Sequence, residues 1–147
     1  MLQSAVLLLG LYATILLCGC ASIRPPASAR PPVYRTLTTT GYCPCGLCCG
    51  WHRNWLCRPV YSSGPLRGQP KAVGITASGT KAHKGTVAAD PERYPFGTVM
   101  YVDGYGYARV EDTGGALQGD HIDLFFRSHS QAMEWGVQRK RVAIWFP

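Results

Sequence analysis

Three aspartates carry the chemistry that this sequence could perform. Asp112 and Asp123 stand at the two ends of the glycine-rich stretch DTGGALQGDHID; Asp90 lies 22 residues before Asp112, which lies 11 before Asp123. The chain has only eight acidic residues, so two at the ends of one tight loop call for an account. A carboxylate held out of water can donate and accept a proton, and a second negative charge nearby helps keep the first protonated. The competing reading is structural. Asp112 would cap the glycine turn, Asp90 would form an Asx turn, and Asp123 would accept backbone hydrogen bonds. Asp103 and Asp120, beside Gly104 and His121, read as turn residues.

The context of Asp123 is the most informative. It sits inside the apolar run Ile122-Asp123-Leu124-Phe125-Phe126. In a strand, Ile122 and Leu124 point one way while Asp123 and Phe125 point the other. A carboxylate in such a strand must be compensated or face a cleft. Gly114, Gly115 and Gly119 let the loop fold back close to it.

The elements that must position these groups are mostly strands. Period-two runs and turn signals predict strands at 36–42, 86–89, 98–103, 107–111, 122–126 and 141–146. One helix is expected at 128–135, capped by Ser128 or Ser130 and stopped by Gly136. A loop of roughly 25 residues, rich in Gly, Pro, Trp and Arg, is expected from Gly50 onward. The fold class is therefore mainly β: six short strands and one helix, closed into a small barrel, because closure removes edges that such short strands would leave exposed. The length of 147 residues allows one domain at most.

Upstream of the domain the composition changes. The first nineteen residues carry no acidic or basic side chain and hold one apolar run, too short for a comfortable membrane span of roughly 20 residues. They end in LCGCA, which resembles a lipobox with Cys20 as the acylated residue. Residues 1–19 are thus expected to be a lipoprotein signal peptide, residues 20–35 an extended Pro/Ala/Arg-rich tether, and 36–147 the domain. Export to the cell envelope, lipid anchoring and an outer membrane facing the periplasm follow as expectations. The net charge is +7. The basic residues are scattered, and an anionic envelope explains their sign better than nucleic acid does. No nucleic-acid partner is expected, and the chain is read as a monomer.

Of seven cysteines, Cys18 leaves with the signal and Cys20 takes lipid. Cys43, Cys45, Cys48, Cys49 and Cys57 remain. Export favours structural disulfides among these five, an odd number that leaves one thiol over. A structural metal is the alternative, although four of them fall within seven residues, whereas zinc sites usually take two separated pairs. His52, His83, His121 and His129 lack a spacing for a shared metal, so no metal or cofactor is expected.

The stretch GTVAADPERYPFGTVMYVDGYGYARVEDTGGALQGDHIDLFF resembles the 3D domain, named for its three aspartates. That domain is shared by the lytic transglycosylase A family and by compact muralytic proteins related to stationary-phase survival factors. TTTGYCPCGLCCG and GITASGTK resemble its cysteine-bearing members. The resemblance spans roughly residues 37–144. It implies a double-psi β-barrel and cleavage of peptidoglycan glycan strands between N-acetylmuramic acid and N-acetylglucosamine. By position, Asp123 matches the catalytic acid and base, with Asp112 and Asp90 as supporting carboxylates. Thr76 and Lys81 would border the substrate cleft, with Gly114, Gly115 and Gln118 on the loop. Gln118 stands where relatives often have a lysine, and His121 where an arginine is common. Tyr42, Trp51, Tyr94, Tyr105 and Tyr107 could stack on sugars or pack in the core. The second domain of the larger transglycosylases has no counterpart in this sequence. Two alternatives remain open: a non-catalytic wall-binding or wall-loosening barrel of the expansin kind, or a true hydrolase in which Asp112 activates water.

Overall fold

The computed structural model describes residues 23–27 and 29–147. The expected signal peptide, Cys18 and Cys20 lie outside the described residues. Eight strands and two short helices follow in the order β1 (Val33–Tyr42), α1 (Gly46–Cys49), β2 (Trp51–Arg53), β3 (Pro59–Tyr61), β4 (Thr86–Ala88), β5 (Val99–Val102), β6 (Gly106–Asp112), β7 (His121–Phe125), α2 (His129–Trp135) and β8 (Gln138–Trp145).

Six of the strands close a barrel in the order β1-β7-β4-β6-β5-β8, and β8 pairs back onto β1. The pairs β1/β7 and β4/β6 are parallel and the other four antiparallel. This is the six-stranded closed barrel expected from the strand count. Its interior is filled by alternate residues of every strand, including Leu37, Val87, Met100, Val102, Val110, Ile122, Leu124, Val142 and Ile144, all essentially without exposed surface. Removing that apolar surface from water is the main favourable term holding the barrel closed.

Three features differ from the sequence reading. β1 begins at Val33, inside the stretch read as tether, because residues 33–39 pair with β8 from Ile144 back to Gln138. The long loop is preceded by α1 and contains a hairpin of β2 and β3, whose tip is tied by Asn54 Oδ1 accepting from the amides of Leu56 and Arg58, both at 3.0 Å. The expected disulfides are corrected too. Cys43, Cys45, Cys48, Cys49 and Cys57 are all free thiols. Cys57 lies at the hairpin tip with φ 58°, and Cys49 Sγ–H donates to the Cys43 carbonyl at 3.1 Å.

The expected helix is present as α2. Ser128 is its N-cap, accepting from the Gln131 amide at 3.3 Å, and Gly136 ends it. It docks on β1 through Trp135, whose Nε1–H donates to Thr39 Oγ1 at 3.2 Å. Gly41 permits that approach: a Cβ there would sit 2.9 Å from the Ala132 carbonyl oxygen and 3.0 Å from the Phe126 ring. Gly115, by contrast, faces open space. Gly41→Ala should therefore cost about 1–3 kcal/mol of stability through overpacking, while Gly115→Ala stays within ~0.5 kcal/mol. Urea unfolding of the two variants beside the parent checks this, and equal midpoints would contradict it.

Candidate active site

A cleft of about 780 Å³ runs along β1 and β7 and is walled by residues 72–77 on one side and 113–117 on the other. Strand alternation delivers two carboxylates into it. Ile122 and Leu124 are buried in the barrel, while Asp123 and Phe125 line the cleft. Asp112, the last residue of β6, enters from the far side of β4, where both it and Asp123 lie opposite Ala88. β7 is held on both sides here. Asp123 lies opposite Thr40 of β1 and opposite Ala88 of β4, so its backbone position is fixed by two ladders.

The two carboxylates have different surroundings. Asp112 is fully engaged: Oδ2 accepts from Tyr42 Oη–H at 3.0 Å, and Oδ1 accepts from the amides of Ala77 at 3.0 Å and Thr113 at 2.9 Å. Asp123 has one donor among the described residues, Thr40 Oγ1–H on Oδ1 at 3.0 Å. Its Oδ2 is left for whatever enters the cleft. Thr40 Oγ1 also lies 3.0 Å from His121 Nε2. A hydroxyl has a single proton to give, so a chain in which His121 Nε2–H donates to Thr40 and Thr40 donates to Asp123 satisfies both contacts.

Burial raises the Asp123 carboxyl above the ordinary aspartate range. The Thr40 hydrogen bond and His121 pull it back, and the charge of Asp112 pushes it further up. A carboxyl so placed stays protonated to higher pH than a surface aspartate, as a proton donor working near neutrality requires. Burial, with Asp112 beside it, also raises the Tyr42 phenol, which remains a donor to Asp112. Tyr42 packs edge-on against Phe125, ring centroids 5.4 Å apart. Burial pushes the Cys49 thiol up to about 11, so this cleft cysteine is no thiolate nucleophile at neutral pH.

Asp90 stands apart from the cleft. Its Oδ1 accepts from the Glu92 amide, closing its own turn, and its Oδ2 accepts from the Gly119 amide, both at 3.0 Å. Asp120 fastens the same loop, with Arg93 Nε at 2.9 Å and Tyr94 Oη–H donating at 2.6 Å. The 90–94 turn thus grips the end of the glycine loop, and the structural reading of Asp90 is the one its contacts match. Among the expected cleft residues, Thr76, Gly114 and Gly115 line it. Lys81 and Gln118 do not. Lys81 is exposed and bridges its backbone to Ile75, and Gln118 is exposed on the outer bend of the loop.

Of the aromatic candidates only Tyr42 lines the cleft. Tyr94 and Tyr105 are buried, Trp51 Nε1–H donates to the Pro44 carbonyl, and Tyr107 packs outside against Tyr101 and Trp145. The sequence reading did not single out Thr40 or Lys71. Thr40 was legible in principle, as the cleft-facing position of the Thr-rich strand. Lys71 was not, since the fold of the long loop brings it in: its Nζ donates to the Cys49 carbonyl at 2.6 Å and lies 4.5 Å from the Tyr61 ring centroid. A second hollow of about 530 Å³, near Arg127, Glu134 and Trp135, contains none of the three aspartates.

Thr40→Val removes the one side-chain donor to Asp123 among the described residues and should raise the carboxyl's titration midpoint further. Carbon-detected NMR titration of aspartate side chains in both proteins measures this, and an unchanged or lower midpoint would contradict the arrangement.

Part of this chain is similar to known proteins. Residues 85–146 match the family model described as the 3D domain. The cell wall-binding protein YocH of Bacillus subtilis (strain 168) is 43% identical over 75 residues, covering 48% of this chain and 26% of that protein. The putative cell wall shaping protein YabE of the same strain is 43% identical over 58 residues, covering 40% of this chain and 14% of YabE. The chain thus spans about a quarter or less of the length of these relatives. Among solved structures, MltA from Escherichia coli with bound chitohexaose aligns at 21% identity and a TM-score of 0.43, covering 54% of this chain and 30% of MltA. Over residues 85–146, this chain is similar to the 3D domain.

Proposed function

We propose that this chain is a peptidoglycan-acting enzyme of the cell envelope, a lytic transglycosylase in which Asp123 is the acid and base. The observation that carries the reading is the contrast between the two cleft carboxylates. Asp112 has both oxygens occupied by three donors, whereas Asp123 is half-buried, raised in pKa and, among the described residues, without a donor on Oδ2.

Breaking a glycosidic bond requires a proton on the leaving oxygen while positive charge develops on the sugar. Asp123 gives its proton to the bridging oxygen between N-acetylmuramic acid and N-acetylglucosamine, and the bond from the muramic C1 to that oxygen breaks. The muramic C6 hydroxyl then attacks C1, and its proton passes to the Asp123 carboxylate. The product carries a 1,6-anhydro ring, and Asp123 is reprotonated for the next cycle. The nucleophile is tethered to the reacting sugar, so proximity takes the place of a positioned water. Asp112 then acts as a fixed negative charge that keeps Asp123 protonated and stabilises the developing cation. The engaged oxygens of Asp112 support this one-acid scheme over hydrolysis, where a second carboxylate must be free to activate water.

The names of YocH and YabE support a wall-directed reading. They also favour a second one, since YocH is called a cell wall-binding protein: a barrel that holds glycan without cutting it. The proposal includes export and anchoring through Cys20, which rests on the lipobox-like LCGCA, and a monomer bound to glycan strands without a cofactor.

The test uses membranes from cells producing the full chain, incubated with purified sacculi. Wild type should release anhydro-muropeptides. Asp123→Asn should lower release by about 10²–10⁴-fold, the usual worth of a general acid, while still binding sacculi. Cys20→Ala should move the activity out of the membrane fraction. Because the folded pKa of Asp123 is raised, the acid form persists above the ordinary ~3.9 of an aspartate, and activity should fall as pH rises through the shifted value. Undiminished release by Asp123→Asn would overturn the assignment. Sacculus binding with no release by wild type would favour the binding barrel.

A further inference from the structure

We propose that Cys43, Cys45, Cys48 and His129 form a structural zinc site that clamps the cysteine-rich turn to the start of α2. Their three Sγ atoms and one imidazole nitrogen all lie within 4.8 Å of one another. Three of the six edges have the lengths of a tetrahedral site. Cys43 Sγ and Cys48 Sγ are 3.7 Å apart, Cys45 Sγ is 3.6 Å from His129 Nδ1, and Cys48 Sγ is 3.4 Å from the same nitrogen. With Zn–S near 2.3 Å and Zn–N near 2.05 Å, ideal tetrahedral edges are about 3.8 Å between sulfurs and about 3.6 Å between sulfur and nitrogen. The observed edges agree with these to within about 0.2 Å.

The donor set is that of a closed structural site. Three thiolates and one imidazole complete a tetrahedron with no position left for water, and soft sulfur ligands select zinc over magnesium or calcium. The local fold serves the same end. Cys45 caps α1, and the Cys48 amide donates to Cys45 Sγ at 3.4 Å, the kind of outer hydrogen bond that stabilises a thiolate ligand. Gly46, between these ligands, is a position where a Cβ would collide with the Trp51 carbonyl oxygen. The fourth ligand is the first residue of α2, 81 residues beyond Cys48 in the chain. It arrives because α2 packs on β1 across Gly41. Cys49 and Cys57 stand outside the group. Four cysteines within seven residues lack the two-pair spacing of common zinc motifs, and the remote histidine removes that objection.

The clamp bears on the cleft. Cys48 lines it, as do Tyr42, one residue before the first ligand, and Cys49, whose carbonyl holds Lys71. Zinc would fix the wall from which Tyr42 reaches Asp112, and it would tie a region of few apolar contacts to the barrel, since α1 has no buried residue.

The experiment is metal analysis of the full chain, purified in detergent under reducing, chelator-free conditions and titrated with Zn²⁺ against a chelator of known affinity. About one zinc per chain is expected. In the Co²⁺-substituted protein, the visible bands of a tetrahedral thiolate site should appear. Cys45→Ser and His129→Ala should weaken zinc binding by more than the ~10–100-fold typical of losing an outer partner. His129→Cys should retain it, and Cys49→Ser and Cys57→Ser should bind as wild type does. Peptide mapping of alkylated protein should show zinc protecting Cys43, Cys45 and Cys48 but not Cys57. Absence of zinc from the wild-type chain with all thiols reactive would overturn the proposal. So would a disulfide linking any of the three cysteines in protein freshly isolated from cells, or undiminished zinc in both ligand variants.

Discussion

The site depends on β7 being paired on both flanks. Parallel to β1 and antiparallel to β4, this five-residue strand cannot slip by one position without turning Ile122 and Leu124 out of the core. Their burial therefore dictates that Asp123 faces the other way, into the cleft. A carboxylate next to such residues is desolvated by the same packing that holds the strand. The fold and the raised pKa have one cause.

The rims of the cleft are fastened separately from the barrel. Asp90 and Asp120 attach the glycine loop to the 90–94 turn, and Asp112 accepts amides from both Ala77 and Thr113, joining the two walls. The exposed Arg93–Asp120 pair contributes little in water by itself. Its geometric effect, together with the Tyr94 hydroxyl, is to fix where the loop returns to β7. On the opposite rim, the cysteine-rich turn has the ligand group as its fastening. Two carboxylates of the triad spacing thus hold structure around the third, a division of labour that spacing alone does not reveal.

The sequence made the parts of this arrangement with local signals legible. Period-two alternation located the six barrel strands to within a few residues, and it identified the outward face of Asp123 from Ile122 and Leu124 alone. Ser128 and Gly136 bounded α2. Whatever depends on long-range closure stayed out of reach. The hairpin of β2 and β3 has three-residue strands with no clear alternation, so it read as loop. β1 extends to Val33 only because β8 is there to pair with it. Lys71 and His129 reach their neighbours through the tertiary path of the chain. The cysteines suggested disulfides because the fourth partner that makes them a tetrahedron is distant in sequence.

The account's central claim is that one acid suffices because the substrate supplies its own nucleophile. Digestion of sacculi in water enriched in ¹⁸O, followed by mass spectrometry of the released muropeptides, tests this most directly. The account predicts anhydro ends at unlabelled mass. Reducing ends carrying one ¹⁸O atom would mean that water attacks the sugar, and would contradict it.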